Sequence, residues 1–294
     1  KDRKLKLATN YLSFIFSGMV FGPWLLRGRK YDVIFVYGLS PILQAIPAIF
    51  LGWMKGCPVV VWVQDLWPES LSATGHLRHK PTLKLVELIV RLIYRHVDLL
   101  LVQSEAFIRP VSALASGTPV KYHPNSADES SSIPTAVAIP EVTGLGRGFS
   151  VVFAGNIGTA QGVEVIVEAA ALLKEHTDLH FVVLGDGSRR DWMLKEARDR
   201  DLTNLHLPGR LPVETMPGLF EKASVLLVTL TDQPIFAATV PNKVQAYMAA
   251  GRPIIACLRG EGARLVVAAK AGLAVPAEDG PALAEAVLQL QRMS

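Results

Sequence analysis

The chain has 294 residues, of which 50% are hydrophobic and 19% charged. This length suggests two domains, each large enough for its own core, and the composition excludes an intrinsically disordered chain. The formal net charge of +4 is too small to indicate nucleic-acid binding. Cys57 and Cys257 lie in separate apolar strand patterns, which indicates two core residues of a reducing compartment, with a disulfide as the alternative.

The first predicted element is a helix over residues 7–26, which contain no charge and are flanked by basic residues. Its length is near that needed to cross a bilayer, but its Gly, Pro and polar residues weaken that interpretation. The basic flanks and aromatic residues favour a helix in the membrane interface, with a core helix as the next alternative. Because the chain opens without Met and without a cleavage-site pattern, we expect a fragment that lacks N-terminal strands and has no signal peptide.

Strand and helix patterns then alternate as far as a segment at 128–147, which is rich in Ser, Pro and Gly and predicts a domain linker. We therefore expect an N-terminal domain over 1–140. Asp65 and Glu69 follow its second strand, at the sheet edge where open α/β sheets bind ligands. Glu69 fits equally well as a carboxylate at a helix start. The predicted strands are 31–37, 58–64, 97–103 and 120–128, and the predicted helices are 40–54 and 81–96.

The second domain, expected over 141–294, is organised around a buried strand at 149–154 and the glycine-rich turn that follows it. Glycines between a strand and a helix start let backbone N–H groups approach an anion closely, although a tight turn that binds nothing is the alternative. The alternation of strands and helices predicts the α/β class with two parallel sheets. The later strands are predicted at 179–184, 204–210, 224–231, 253–258 and 274–276, and the later helices at 163–173, 188–200, 212–223, 241–250, 261–270 and 281–291.

Five motifs resemble the family 4 glycosyltransferases in their order and spacing. These are VQDLWPESLSATG at 63–75, FAGNIGTAQG at 153–162, LGDG at 184–187, VPNKVQAYMAAGRP at 240–253 and GEGARLV at 260–266. The resemblance implies the GT-B fold, in which two Rossmann-like parallel-sheet domains face a cleft, here with the N-terminal domain truncated. The motif at 63–75 is similar to one bacterial subgroup that builds surface polysaccharides such as colanic acid and O-antigen. Some members of that subgroup transfer N-acetyl-L-fucosamine.

The resemblance implies an enzyme that transfers a hexosyl or N-acetylaminosugar group from a nucleotide sugar, with retention of configuration, to a lipid-linked saccharide. We expect a UDP-sugar as co-substrate, no other cofactor, no metal and no nucleic acid. We expect a cytoplasmic protein, peripheral on the inner face of the plasma membrane. A non-catalytic membrane-associated member of the family and a sugar-nucleotide 2-epimerase on the same fold are the alternatives.

The resemblance also assigns site residues, with Lys243 as the cation of the donor diphosphate and Asp65 and Glu69 as the catalytic carboxylates facing the acceptor. Asp186 is alternatively a turn former, and Arg210 a surface turn residue. The family's two glutamates, the second of which holds the donor ribose, would fall at Ala238 and Ala246. The expected donor-binding residues are Gly155, Asn156, Gly158, Gln161, Gly162, Asp186, Gly187, Arg210, Lys243 and Glu261.

Overall fold

The computed structural model describes residues 2–73, 79–127 and 138–294. The chain separates into two compact units, residues 1–124 and residues 125–294. Each unit is built on a parallel sheet with helices between the strands, which confirms the predicted α/β class. The end of the motif at 63–75 and most of the Ser-rich part of the predicted linker lie outside the described residues.

The N-terminal unit contains a four-stranded sheet in the order β1-β2-β3-β4, with all neighbours parallel. Apolar, largely β-branched residues bury one face of this sheet, with Val61, Leu100 and Val102 fully buried. Its elements are α1 (Asp2–Leu25), β1 (Ile34–Gly38), α2 (Ala45–Lys55), β2 (Val59–Val63), α3 (Glu69–Ala73), α4 (Lys80–Arg95), β3 (Leu99–Val102), α5 (Ile108–Ala115) and β4 (Val120–Tyr122).

Two local features of this unit differ from the sequence prediction. Strand β4 ends at Tyr122 rather than near residue 128, because Pro124 has no N–H to continue a ladder. Helix α5 was not predicted, since its eight residues give little periodicity and include Pro110. That proline lies in the first turn, where the helix needs no backbone donor from it.

Helix α1 packs along α2, and the two helices run in the same direction. A Cβ atom on Gly18 would lie 2.9 Å from Pro47 Cβ, and one on Gly22 would lie 3.3 Å from Leu51 Cδ1. One turn further, Lys55 Nζ donates to the carbonyl oxygen of Leu26 over 2.7 Å. The two small residues therefore let the helices approach closely. Among the described residues, the structure shows no helix with the length and apolar character needed to cross a bilayer.

The C-terminal unit contains a six-stranded parallel sheet in the order β10-β9-β8-β5-β6-β7. The chain builds β5 to β7 on one side, then returns to build β8 to β10 on the other. Its elements are β5 (Phe149–Ala154), α6 (Glu164–Leu172), β6 (Leu179–Leu184), α7 (Arg190–Asp199), β7 (Leu205–Gly209), α8 (Met216–Glu221), β8 (Val225–Thr229), α9 (Pro234–Ala238), α10 (Asn242–Ala249), β9 (Ile254–Cys257), α11 (Glu261–Ala268), β10 (Gly272–Val275) and α12 (Gly280–Gln291).

This strand order has its switch point between β5 and β8, the place where open α/β sheets form a ligand crevice at the carboxyl ends of their strands. All six residues of β5 are buried, as its unbroken apolar pattern predicts. Its ladder with β8 pairs only Val151 and Val152 with Val225 and Leu226. No further ladder pair joins the described residues of these two strands.

Tyr247 on α10 supplies the hydrogen bonds that β8 does not give to the end of β5. Its hydroxyl accepts from the N–H of Ala154 over 2.9 Å and donates to the carbonyl oxygen of Ala154 over 3.3 Å. Burial raises the pKa of the Tyr247 hydroxyl well above its usual value, so the group remains neutral. The last residue of β5 is therefore fixed by a side chain of α10.

We expect Tyr247→Phe to lower the free energy of unfolding by about 1–3 kcal/mol, because it leaves buried backbone groups of Ala154 without partners. Urea unfolding monitored by circular dichroism measures this loss. Tyr122→Phe removes a hydroxyl from an exposed ring and is the control. Equal stability of Tyr247→Phe and the unsubstituted protein would show that the hydroxyl does not hold this strand.

Candidate functional site

The turns after β5 and β6 cross at backbone contact distance. The N–H of Gly155 donates to Leu184 O over 2.8 Å, and the N–H of Gly185 donates to Gly209 O over 2.9 Å. A Cβ atom on Gly185 would lie 1.9 Å from the carbonyl oxygen of Gly155, and its φ is +139°. Glycine is therefore required at residue 185, and the two turns form one continuous backbone surface at the edge of the sheet.

The side chain of Asn156 occupies the space that two glycines leave open. A Cβ atom on Gly158 would lie 2.5 Å from Asn156 Nδ2, and one on Gly187 would lie 2.8 Å from Asn156 Oδ1. The neighbouring N–H of Ile157 donates to Asp186 O over 2.8 Å, which ties the two turns together. Because Gly158 and Gly187 have no side chains, they leave room for the neutral, hydrogen-bonding amide group of Asn156.

A cavity of about 380 Å³ opens beside these turns, within the size range of small-molecule sites. One wall is polar and includes Asn156 and Asp186, while the other is apolar. The exposed Arg210 is also among the lining residues. The residues that line the cavity are Gly155, Asn156, Leu184, Gly185, Asp186, Arg210, Leu211, Val213 and Met216.

The ammonium group of Lys243 lies next to the first of these turns in an apolar setting. Its Nζ lies 3.6 Å from the centroid of the Phe153 ring and donates to Gln161 Oε1 over 3.1 Å. A Cβ atom on Gly155 would lie 2.7 Å from the Cε atom of Lys243, so the lysine side chain passes close to this glycine. Burial lowers the pKa of Lys243 from 10.5 to about 7. No carboxylate in the described part of the chain lies within ion-pair distance of this ammonium group.

Backbone contacts fix the side of the glycine-rich turn that faces Lys243. Thr229 Oγ1 donates to the carbonyl oxygen of Gln161 over 2.6 Å, and the N–H of Thr231 donates to Ala160 O over 3.1 Å. Gly162 then takes a left-handed conformation with φ +56° where the turn passes into α6. The backbone of Gln161 is therefore anchored to the end of β8, while its side-chain oxygen Oε1 accepts from Lys243.

The structure brings most of the predicted donor residues together. Gly155, Asn156, Asp186 and Arg210 line the cavity, while Gly158 and Gly187 cradle Asn156. Lys243 adjoins Gly155 and Gln161, and Gly162 closes the same turn. Asp186 also accepts from the N–H of Gly187 over 2.8 Å, as a turn former would.

Glu261 differs from the other predicted donor residues in its placement. It begins α11, does not line the cavity, and its carboxylate accepts from Arg264 at 3.2 Å and 2.8 Å. In the part of the chain that the structure describes, no group of three or more His, Cys, Asp and Glu residues is arranged to bind a metal ion.

The two carboxylates predicted to face the acceptor belong to the N-terminal unit. Ser40 Oγ donates to Asp65 Oδ2 over 2.6 Å, and Trp67 Nε1 donates to Ser40 Oγ over 3.0 Å. This chain of hydrogen bonds joins the loops at the carboxyl ends of β1 and β2. Glu69 is the first residue of α3, as the helix-start interpretation expects. Its charge adds to the effect of burial in raising the pKa of Tyr94.

Sequence reasoning missed residues whose importance depends on tertiary contacts. Phe153 reads as one more apolar residue of a buried strand, and Tyr247 as one more helical residue within a motif. The apolar wall of the cavity lies in a stretch that the sequence predicted only as a helix from residue 212. One signal of this wall was available in the sequence, because apolar residues follow Gly209 and Arg210 in GRLPVETM.

Two family models match this chain and together span most of it. Residues 7–126 match a glycosyl transferase 4-like domain, and residues 148–292 match the glycosyl transferases group 1 model. With the two parallel-sheet units, these matches define a glycosyltransferase of the GT-B class. Within that class the chain belongs to family 4, which confirms the family that the motifs resemble.

Known proteins agree with this assignment. The chain is 29% identical over 300 residues to the probable glycosyltransferase WbjE of Pseudomonas aeruginosa, covering 98% of this chain and 73% of that protein. It is 29% identical over 101 residues to the putative colanic acid biosynthesis glycosyl transferase WcaI of Escherichia coli, covering 34% of this chain and 24% of WcaI.

Solved structures share the fold at low sequence identity. Anabaena Alr3699/HepE in complex with UDP superposes with a TM-score of 0.68 at 14% identity, over 97% of this chain and 72% of that one. An α,α-trehalose-phosphate synthase from Burkholderia xenovorans, in complex with glucose-6-phosphate, superposes with a TM-score of 0.74 at 14% identity. The match covers 99% of this chain and 72% of that one. At this identity the likeness establishes the GT-B fold alone.

The lowered pKa of Lys243 predicts how stability depends on pH. Between the folded pKa of about 7 and the unfolded value of 10.5, the unfolded chain binds the extra proton, so stability rises with pH in this window. We therefore expect Lys243→Met to be more stable than the unsubstituted protein at pH 7, with a gain that shrinks towards pH 10. Urea unfolding at intervals across this range measures the gain, and Lys222→Met controls for the loss of one exposed positive charge. A gain that does not vary with pH would contradict the prediction.

Proposed function

We propose that this protein is a retaining glycosyltransferase that transfers a sugar from a UDP-sugar to a lipid-linked saccharide during cell-surface polysaccharide synthesis. The family matches support sugar transfer. The UDP complexes of HepE support the choice of nucleotide, and the colanic acid role printed for WcaI supports a surface polysaccharide as the product. The transfer takes place at the cytoplasmic face of the membrane, where nucleotide sugars and lipid-linked acceptors meet.

The observation that carries the proposal is a buried ammonium group without a carboxylate. Lys243 loses solvation beside the glycine-rich turn, and among the described residues it gains the face of the Phe153 ring and the neutral amide oxygen of Gln161. A buried cation of this kind is stabilised by an anion bound next to it. A diphosphate at the Gly155 turn supplies that anion, and the positive end of α6, which the chain enters after Gly162, favours it further.

The rest of the donor fits the cavity in a definite orientation. The diphosphate lies at Lys243 and the turn that includes Asn156, Gly158, Gln161 and Gly162. The nucleobase lies against the apolar wall beyond Arg210. Asp186 and Gly187 shape the wall between these two ends. The apolar part of the cavity thus suits the nucleobase, while the diphosphate lies beside the cavity at Lys243.

In the transfer step, a hydroxyl oxygen of the acceptor bonds to the anomeric carbon on the face from which the diphosphate departs. The bond between that carbon and the diphosphate oxygen breaks, and the hydroxyl proton passes to the departing diphosphate. Lys243 stabilises the charge that develops on this leaving group. Asp65, which accepts a hydrogen bond from Ser40, and Glu69 are the carboxylates that the family resemblance assigns to the acceptor.

A screen of nucleotide sugars tests the proposal directly. The full chain is incubated with UDP-, GDP- and dTDP-sugars, with and without a lipid-linked saccharide, and released nucleoside diphosphate is measured. We expect release from a UDP-sugar, and more release with acceptor present. UDP binding without any release would favour the non-catalytic alternative. A folded protein that binds no nucleotide diphosphate would contradict the donor site itself.

We expect Lys243→Ala to weaken UDP binding by roughly tenfold to a hundredfold, because a hydrogen bond to a charged group contributes about 1.5–3 kcal/mol. Uridine, which has no phosphate, is expected to bind both proteins alike. Calorimetric titration with both ligands measures the two effects, and Lys222→Ala controls for net charge. Equal losses for UDP and uridine would make Lys243 a structural residue only.

Ala246 tests the residue-by-residue assignment of the ribose site. It lies three residues after Lys243 on α10, and is partly buried against the core. A carboxylate there would accept from the ribose hydroxyls, so we expect Ala246→Glu to tighten UDP binding by about tenfold. Ala246→Gln controls for size, and 2′,3′-dideoxy-UDP should gain nothing from either change. Unaltered affinity in a folded Ala246→Glu protein would place the ribose elsewhere.

A further inference from the structure

The helix whose positive end favours the donor diphosphate begins with a negative charge. Glu164 is the first residue of α6, and it follows Gly162, the last residue of the glycine-rich turn, by two positions. Two residues of chain span at most about 7 Å, which is within the screening length of roughly 8 Å at physiological ionic strength. The Glu164 carboxylate therefore stabilises the start of the helix in the free protein, but it repels a diphosphate bound there.

Arg189 forms an ion pair with this carboxylate. Its Nη2 atom donates to Glu164 Oε1 over 2.5 Å, and the two side chains are 28% and 48% exposed. Arg189 immediately precedes α7, so the pair joins the start of α7 to the start of α6. The positive charge of the guanidinium offsets the negative charge of Glu164 beside the glycine-rich turn.

Three contacts fix the position of Arg189. Its backbone N–H donates to the carbonyl oxygen of Ile157, within the glycine-rich turn, over 2.9 Å. Its guanidinium carbon lies 4.2 Å from the centroid of the Trp192 ring, in the first turn of α7. The pair with Glu164 holds the tip of the side chain. A guanidinium that is stacked on an indole and paired at its tip is already ordered, so the cation is held next to the turn before any ligand binds.

Part of this arrangement is unfavourable for folding. The Nε atom of Arg189 is buried and has no hydrogen-bond partner among the described residues. Burial of a donor without a partner is destabilising, and a partly exposed ion pair contributes little to stability. Stability alone therefore does not account for the placement of Arg189, whereas the charge balance of the neighbouring anion site does.

We propose that Arg189 is a positioning residue of the donor site, which binds Glu164 and so prevents that carboxylate from repelling the diphosphate of the donor. Arg189 acts through Glu164 and does not itself contact the donor. This inference rests on the proposed function, since it concerns the same diphosphate. It requires that loss of the arginine alone weakens donor binding, and that loss of both charges together restores it.

Calorimetric titration with UDP and with uridine tests the proposal on the full chain. We expect Arg189→Gln to weaken UDP binding roughly threefold to tenfold, because it leaves Glu164 unpaired near the diphosphate. Glu164→Gln should bind UDP at least as tightly as the unsubstituted protein. The double variant Arg189→Gln/Glu164→Gln should return to within about twofold of the unsubstituted protein, since opposite charges are removed together. Uridine, which has no phosphate, should bind all four proteins alike.

Ionic strength provides a second measurement, which a purely structural role would not change. Salt screens the repulsion between Glu164 and UDP, so the affinity ratio of the unsubstituted protein to Arg189→Gln should approach one as ionic strength rises from roughly 0.05 M to 0.5 M. Arg189→Lys keeps the charge and should retain UDP affinity within about threefold. The matched control is Arg200→Gln, which breaks the ion pair with Glu196 at the other end of α7 and should leave UDP affinity unchanged.

Several results would overturn the proposal. UDP affinity of Arg189→Gln equal to that of the unsubstituted protein would make the ion pair structural only, and so would equal losses for UDP and uridine. A double variant as weak as Arg189→Gln would show that Arg189 contacts the donor itself. Weaker UDP binding by Glu164→Gln, which keeps the arginine, would contradict the repulsion directly, even where Arg189→Gln does not fold.

The unsubstituted protein separates this inference from the proposed function. Failure of the folded, unsubstituted protein to bind any nucleoside diphosphate removes the donor site, and the role of Arg189 with it. Normal UDP binding that Arg189→Gln leaves unaltered removes only the role of Arg189.

Discussion

The candidate donor site is organised around one largely buried lysine, which no carboxylate of the described residues pairs with. Lys243 extends from α10 to the turn after β5, where an aromatic ring and an amide oxygen replace water. Desolvation on this scale disfavours the charged form, and the pKa near 7 leaves the group close to its midpoint at physiological pH. The free protein thus holds a group whose charge is unfavourable until an anion binds beside it.

The surrounding structure makes this arrangement possible. The strand order brings the turns after β5 and β6 to one edge of the sheet, where the cavity lies, and Tyr247 fixes the end of β5 from the same helix that carries Lys243. The crossing of the Gly155 and Gly185 turns leaves no space for a side chain at residue 185, so the backbone itself forms one edge of the cavity.

The sequence predicted the parts of the fold that depend on local pattern. Buried strands such as β5 and helices such as α4 show clear periodicity, and the glycine-rich turn marked the site because few residues other than glycine adopt its backbone geometry. Short elements such as α5 gave too little periodicity. The roles of Phe153 and Tyr247 could not be predicted, because each depends on a contact with a residue about ninety positions away. Glu261, assigned by resemblance, lies in an ion pair with Arg264 instead of lining the cavity.

Proton uptake on UDP binding tests the central claim most directly. At pH 8 the phosphates of UDP are ionised, since the second phosphate pKa is about 6, whereas most Lys243 side chains are neutral in the free protein. Calorimetric titrations in buffers of different ionisation enthalpy give the number of protons taken up. The account predicts close to one proton per UDP at this pH, and none for Lys243→Met. A binding enthalpy that does not depend on the buffer would show that Lys243 does not meet the diphosphate.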